Sequence, residues 1–532
     1  MTTCGERIME MLAEYGIDIA FGIPGTHTIE MYRGLQSGRI RHVTPRHEQG
    51  AGFMADGYAR ITGRPALCMT VSGPGALNIA TAMGQALQDS IPMLVISADN
   101  ALPSRNLGEG RLHEVHHLER AMEQCSRWSH VLMRPDELPR VLARAFSIFR
   151  SERPGPVHIT VPLDVITADA SHVEPVLWPA PVRPAPHPGA LLAAAERLNA
   201  AKRPALALGG GAVDAADDLR ALAERLDAPV VLTQNAKGIL PPDHPLYLRG
   251  GPGSEAARAL LRDSDAILAI GTELGETDYD FSLSAQMLDL GTGDLIRVDL
   301  DNAQLTRMAR PAIAIHADAA LFAAALLPLV EKGAHGGADR TASANAAMAE
   351  LPDRGYGAFH AAMLEALPDL YLVGDSVQPA YAAPDHFHPP APRSFATAAT
   401  GFGTLGHALP AAFGAKLGAP DRPIVALLGD GGVQFTINEL STAVQAKLPV
   451  AVVIWNNAAY EMIAMNFRDA GMNPIACDPT HPDFAALARS YGCHAERPAT
   501  LNELKAALVA AQDRDAPTLI EVQEADMLAP AG

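Results

Sequence analysis

The stretch PIVALLGDGG, residues 423–432, followed by PVAVVIWNN, residues 449–457, decides the fold. Each opens on proline, runs through uninterrupted apolar residues and stops on oxygen-bearing side chains: Asp430 in the first, Asn456 and Asn457 in the second. A continuous apolar run of this length reads as a strand buried on both faces, the habit of parallel sheets covered by helices. Ligands of such sheets bind in the crevice beyond the carboxyl ends of the strands. Asp430 and Asn457 are therefore expected to face a crevice rather than a core.

The same pattern recurs outward in both directions. ALCMTVS and PMLVISA flank the amphipathic ALNIATAMGQALQDS. PALALGGG, PVVLTQ, AILAIG and DLIRVDLD follow in mid-chain, and LYLVGDS and TLIEVQE complete the last third. Two gaps divide the series. WPAPVRPAPHPG, residues 178–189, is too proline-dense to continue a helix. KGAHGGADRTASANA, residues 332–346, reads as a polar linker. The expected fold is α/β, with three doubly wound parallel-sheet domains at residues 1–175, 188–332 and 346–532.

Composition sets the outer bounds. The chain has 532 residues, 48% hydrophobic and 19% charged, with a formal net charge of -19. That size calls for several domains, and the acidity argues against nucleic acid, which demands clustered Lys and Arg. Five cysteines without a CxxC pair give no disulfide framework or zinc site. The N-terminus lacks the pattern of a signal peptide and no apolar run reaches about 18 residues, so the expectation is a cytoplasmic protein with no membrane span.

Asp430 and Asn457 lie 27 positions apart and offer hard oxygen ligands, while Gly429, Gly431 and Gly432 leave backbone N–H groups open. The set suits a Mg²⁺ that also holds a phosphate, most of its ligands coming from phosphate and water. A helix expected to begin near Thr436 would add a favourable dipole. The plainer alternative is an Asp capping a strand-turn-helix; the paired asparagines favour the metal.

The GDGG…NN pattern resembles the diphosphate-binding motif of thiamine-diphosphate enzymes. The resemblance implies that Asp430, Asn457 and the Ala459 carbonyl bind Mg²⁺, with Tyr460 beside the cofactor. It also requires an N-terminal glutamate at the aminopyrimidine ring, to promote loss of the cofactor's C2 proton. TPRHEQGAGFMADGYAR supplies it as Glu48. Other segments match in order: FGIPGTHTIEMY, TVSGPGALNIATAMGQALQDSIPMLVISA, VGDSVQP and GFGTLGHALPAA. By position Asp375 and Ser376 contact the diphosphate, the Gly403 carbonyl receives the 4′-amino group, and Leu405 is the apolar wedge under the thiazolium. The family shares each site between two subunits, which implies a homodimer or homotetramer with active sites at subunit interfaces.

The overall likeness is to the acetolactate synthase-like branch. TCGE, FGIPGTHTIEMYRGL, HVTPRHEQGAGFMADGYAR, LGEGRLHE and GDSVQP most resemble 5-guanidino-2-oxopentanoate decarboxylases. The implied reaction converts a small-molecule 2-oxo acid to an aldehyde and CO₂. The alternatives are a carboligase of acetolactate synthase type and a non-catalytic cofactor-binding relative. A guanidinium substrate wants a carboxylate, and Glu109, Glu114 and Glu461 are candidates. His27 and His113 are candidates for proton transfer or for orienting the substrate carboxylate, and Thr26 for lining the pocket. Pyruvate-type decarboxylases carry Glu six residues past the second Asn; here that position is Ile463 and the acid is Glu461. The residue that delivers the proton therefore cannot be copied from that branch. In mid-chain, LGGGAVDA reads equally as a dinucleotide loop or a tight turn, so FAD is possible there but not favoured.

Overall fold

The computed structural model describes residues 1–279, 286–351 and 353–528. Its three sheets are wholly parallel. The first contains β1 (Ile19–Gly22), β2 (Arg41–Val43), β3 (Ala66–Val71), β4 (Met93–Asp99), β5 (Trp128–Val131) and β6 (Pro156–Pro162), in the order β2-β1-β3-β4-β6-β5. The second holds β7 (Pro204–Leu208), β8 (Val230–Leu232), β9 (Ala266–Ile270), β10 (Asp294–Asp299) and β11 (Ile313–His316), ordered β11-β10-β9-β7-β8. The third holds β12 (Tyr371–Gly374), β13 (Phe395–Thr397), β14 (Ile424–Gly429), β15 (Ala451–Asn456), β16 (His494–Glu496) and β17 (Thr518–Gln523), ordered β13-β12-β14-β15-β17-β16. Counted within their own domains, the first and third sheets follow one and the same order, 2-1-3-4-6-5.

The apolar runs fold as their composition demands. Every residue of β4, β9, β15 and β12 is buried, and helices cover both faces. Gly429 of β14 pairs with Trp455 of β15, so Asp430 leaves the sheet beside Asn456 and Asn457.

Two local expectations are corrected. No helix starts near Thr436: the chain makes two 3₁₀ turns, Gly432–Phe435 and Ile437–Glu439, before the helix Leu440–Ala446. The Thr436 hydroxyl donates to the Gly406 carbonyl instead of capping a helix. The stretch 332–346 is not a simple linker either, because most of it lies in the helix Gly337–Ala349. Its alanines favour that conformation. Arg340 donates to the Pro204 carbonyl and the Asn345 amide to Tyr247, which fastens this helix to the second domain.

The first and third domains meet through the helices Glu48–Thr62 and Ala408–Gly418, both rich in Ala and Gly. A Cβ added to Gly57 would lie 1.9 Å from the Ala411 carbonyl oxygen, and one added to Gly414 would lie 1.9 Å from that of Met54. At this crossing buried Asp56 accepts from His407 (2.8 Å) and Arg60 (2.6 Å), and Arg60 continues to Asp89 (2.5 Å). Burial alone would raise the Asp56 pKa, but Arg60 and His407 hold it below the usual carboxylate range.

Candidate active site

On the third domain, Asp430 is 1% exposed and its Oδ2 has no hydrogen-bond partner. Burial raises its pKa, while His481 and the backbone amides of Asp430, Gly431 and Asn457 pull the other way. Asp430 and Asn457 are thus brought together. The Asn457 Oδ1 accepts from the Ala459 amide at 3.2 Å, in a turn that passes through Ala458 at φ 53°. Such a left-handed alanine stores on the order of 1 kcal/mol and marks a place where geometry outweighs comfort. Tyr460 packs over Gly431 so closely that a Cβ there would sit 2.4 Å from its ring.

The loop after β12 lies alongside. Asp375 is wholly buried, and its carboxylate accepts from the Ser376 amide (2.7 Å) and the Ala408 amide (3.4 Å). Burial pushes its pKa up to about 6. In this arrangement Asp375 ties its own loop to the start of the helix that follows Gly403 and Leu405. Leu405 approaches Gly432, and Gly403 has φ 71° with open space where a Cβ would be.

On the first domain, Glu48 begins its helix behind His47, whose ring caps the Gln49 amide. The Glu48 Oε2 accepts from Asn78 at 3.0 Å. His27 and His113 lie edge to face, with ring centroids 5.2 Å apart, and both carry a buried Nδ1 without a partner. Burial and then His113 lower the His27 pKa, while Asp99 opposes them. Thr26 opens the short turn that carries His27. The three candidate acids are engaged locally. Glu109 pairs with Arg111 at 2.9 Å, Glu114 accepts from the Gly108 and Arg111 amides, and Glu461 pairs with Arg468 at 2.8 Å. Ile463 is half exposed on the same helix as Glu461, Glu461–Asp469.

Residues that sequence reasoning missed hold these parts in place. Gln85 accepts from the Thr404 amide and hydroxyl, gripping the loop of Gly403 and Leu405. Glu439 accepts from the Arg46 and His47 amides, gripping the start of the Glu48 helix. Each domain thus uses the segment after its third strand to hold the loop after the other's second strand. Asn78 and Gln85 left a trace in the sequence, as polar residues within one apolar helix, Pro74–Gln88.

Comparison with known proteins decides the chemistry. Residues 2–126 match the N-terminal TPP binding domain of thiamine pyrophosphate enzymes, 191–326 their central domain, and 375–522 their C-terminal TPP binding domain. The chain is 43% identical to a probable 2-ketoarginine decarboxylase of Pseudomonas aeruginosa, over 98% of its own length and 94% of that protein's. It is 33% identical to the large subunit of acetolactate synthase isozyme 1 of Escherichia coli and 30% to that of isozyme 2, covering 94% of each. This chain is a thiamine pyrophosphate enzyme. It belongs to the branch that contains the acetolactate synthases.

The thiamine pyrophosphate enzyme has residues fitted to its cofactor. The buried Asp430 oxygen without a partner fits a cation, and the Asn457 side chain stands at the neighbouring strand end, beside the glycine turn covered by Tyr460. Among the described residues there is no cluster of three His, Cys, Asp or Glu able to hold a metal. A cation at Asp430 therefore needs further oxygens from diphosphate and water.

A separate cavity of about 320 Å³ lies where all three domains meet, lined by Gly209, Thr272, Asp299, Arg153 and Thr400 among others. Neither Glu48 nor Asp430 reaches it. Its glycine run has a packing reason: a Cβ on Gly209 would lie 2.2 Å from the Gly271 carbonyl oxygen. The lining arginines are already committed, Arg60 to Asp89, Arg153 to Glu273, Arg183 to Asp318 and Arg393 to Asp214.

Proposed function

We propose that this thiamine pyrophosphate enzyme is a Mg²⁺-dependent decarboxylase of 2-oxo acids that forms an aldehyde and CO₂, with 5-guanidino-2-oxopentanoate as the favoured substrate. The observation that carries the substrate is the 43% identity, over nearly the whole chain, to a probable 2-ketoarginine decarboxylase. The unpartnered buried oxygen of Asp430 supports the cation. Bound thiamine diphosphate supplies the electron sink for the pair left when CO₂ departs.

The chain's own residues do the rest. Asp430, Asn457 and the Ala459 carbonyl would hold Mg²⁺, and the backbone of Gly429, Gly431 and Gly432 and the Ser376 side chain would contact the diphosphate, since the Ser376 amide is already given to Asp375. Glu48 would hydrogen-bond the aminopyrimidine and promote its proton transfer, one carboxylate oxygen steadied by Asn78. Leu405 would wedge under the thiazolium and the Gly403 carbonyl would receive the 4′-amino group. His27 and His113 present ring nitrogens for proton transfer or for the substrate carboxylate. Glu461 and Glu109 already bind arginine side chains, so a substrate guanidinium would compete with Arg468 or Arg111 for a carboxylate. The paired arginines of the central cavity do not favour FAD, since a dinucleotide diphosphate needs free cations or amides.

Exposed Phe402 and Phe435, beside Gly403 and Gly432, fit coverage by a second subunit. A homodimer or homotetramer would let the partner's first domain complete each site. No helix among the described residues is long and apolar enough to cross a membrane. The cytoplasm remains the proposed location.

The second reading is acetolactate-type carboligation, favoured by the 33% identity to acetolactate synthase. One assay separates the two: CO₂ release with Mg²⁺ and thiamine diphosphate across 5-guanidino-2-oxopentanoate, pyruvate, 2-oxobutanoate and benzoylformate, with products identified. The expected result is 4-guanidinobutanal from the guanidino acid. Acetolactate from pyruvate alone would overturn the decarboxylase reading.

A further inference from the structure

The two asparagines that end β15 are not free rotors. The Asn456 Nδ2 donates to Glu521 Oε1 at 2.8 Å, and Asn457 Nδ2 donates to Glu524 Oε2 at 3.1 Å. Both acids come from the neighbouring β17 and the turn after it, so sheet pairing fixes their positions. Glu521 is held by Arg497 at 2.8 Å, and Glu524 accepts a second bond from Trp455 Nε1 at 2.7 Å. An amide has one donating and one accepting end. A carboxylate accepts only, so it can take only the nitrogen end of Asn457. The oxygen end is then turned away from Glu524, to where the Ala459 amide meets it.

We propose that Glu524 is a positioning residue that selects the metal-binding orientation of Asn457. The inference rests on the reading that Asp430, Asn457 and Ala459 hold a divalent cation. Without Glu524 only the Ala459 amide, at 3.2 Å, opposes a flip that would turn the Asn457 nitrogen toward the cation, which a cation cannot use. The carboxylate also adds negative charge one residue behind the ligand, as outer partners of metal ligands do.

The test is Mn²⁺ binding by the full-length protein in the presence of thiamine diphosphate, followed by electron paramagnetic resonance, with thermal unfolding of the cofactor-free protein as control. Glu524→Ala should weaken Mn²⁺ binding about 10- to 100-fold and lower the cofactor-free melt, because the buried Trp455 Nε1 loses its acceptor; Glu524→Gln, which keeps that acceptor, should melt close to wild type. Glu524→Gln keeps an accepting oxygen for Asn457 and should stay within about 3-fold of wild type, well above the alanine variant. If Glu524→Ala fails to fold, Asn457→Asp decides. That change sets two carboxylates against each other, and adding Glu524→Gln should restore tighter Mn²⁺ binding than Asn457→Asp alone. Unchanged Mn²⁺ affinity in a folded Glu524→Ala, or no gain from the second change, overturns the proposal. Wild-type protein that binds no Mn²⁺ would instead sink the underlying metal reading.

Discussion

At the scale of single residues, two buried carboxylates carry the argument. Asp430 keeps an oxygen without a partner in the absence of a cation, which costs the fold on the order of 1–3 kcal/mol. Asp430→Ala should therefore leave the cofactor-free protein as stable as wild type or more so, while abolishing the rise in melting temperature that Mg²⁺ and thiamine diphosphate give. A Mg²⁺-dependent rise of wild-type size in the variant would refute the assignment. Asp375 differs because its oxygens are occupied. Its folded pKa of about 6 lies above the ordinary 3.8. The folded state thus binds the extra proton, and stability falls as pH rises from about 4 through about 6, by up to about 3 kcal/mol. Asp375→Asn should lose that slope; urea unfolding at pH 5 and pH 8 measures it, and parallel behaviour of the two proteins would count against it. Sequence showed Asp430 and Asn457 because strand ends betray themselves by where apolar runs stop. It did not show that Asp375 points into its own loop, since the Ser376 and Ala408 amides that claim it come together only on folding.

At the scale of elements, the crossing of helices Glu48–Thr62 and Ala408–Gly418 fixes where Glu48 stands relative to the Gly403 loop. The backbones approach closely enough that Gly57 and Gly414 each face a carbonyl oxygen of the other helix at 1.9 Å from a would-be Cβ. Gly414→Ala must push the helices apart, at a cost of about 1–3 kcal/mol or more. We expect a lower melting temperature together with a raised concentration of thiamine diphosphate for half-maximal activity, because Gln85 and Glu439 lose register with the loops they hold. A lowered melting temperature with unaltered cofactor dependence would uncouple this packing from the site. Long apolar strands were legible in the sequence, and all of those expected are present. The missed strands were short or carried polar residues. β2, β13 and β16 have three residues each and sit at sheet edges, where no continuous apolar run is required. β6 is fully buried but carries His158, satisfied by Ser97 and Ser129, partners that only the folded sheet supplies.

At the scale of the whole molecule, the first and third domains repeat one strand order and grip each other reciprocally, Gln85 on Thr404 and Glu439 on His47. Among the described residues, no hydrogen bond or ion pair connects Glu48 with Asp430, although the proposed function calls for both at one cofactor. A second copy could close that gap by placing its Glu48 opposite the first copy's Asp430, and the exposed Phe402 and Phe435 offer apolar surface that such a copy would cover. Complementation tests this directly. Glu48→Gln preserves an acceptor for Asn78 and so should fold, yet it should lose turnover by a factor of about 10²–10⁴, because an amide cannot move the proton. Asp430→Ala should be inactive for want of the cation. Unfolded together and refolded as a mixture, half of the dimers pair one chain of each kind. If sites are shared, such a dimer has one site with both defects and one with neither, so about a quarter of wild-type activity should return. If each site belongs to a single chain, every site in the mixture carries one defect and nothing returns. Activity near one quarter therefore assigns Glu48 and Asp430 to different subunits, and activity at the level of the separate variants assigns them to the same one.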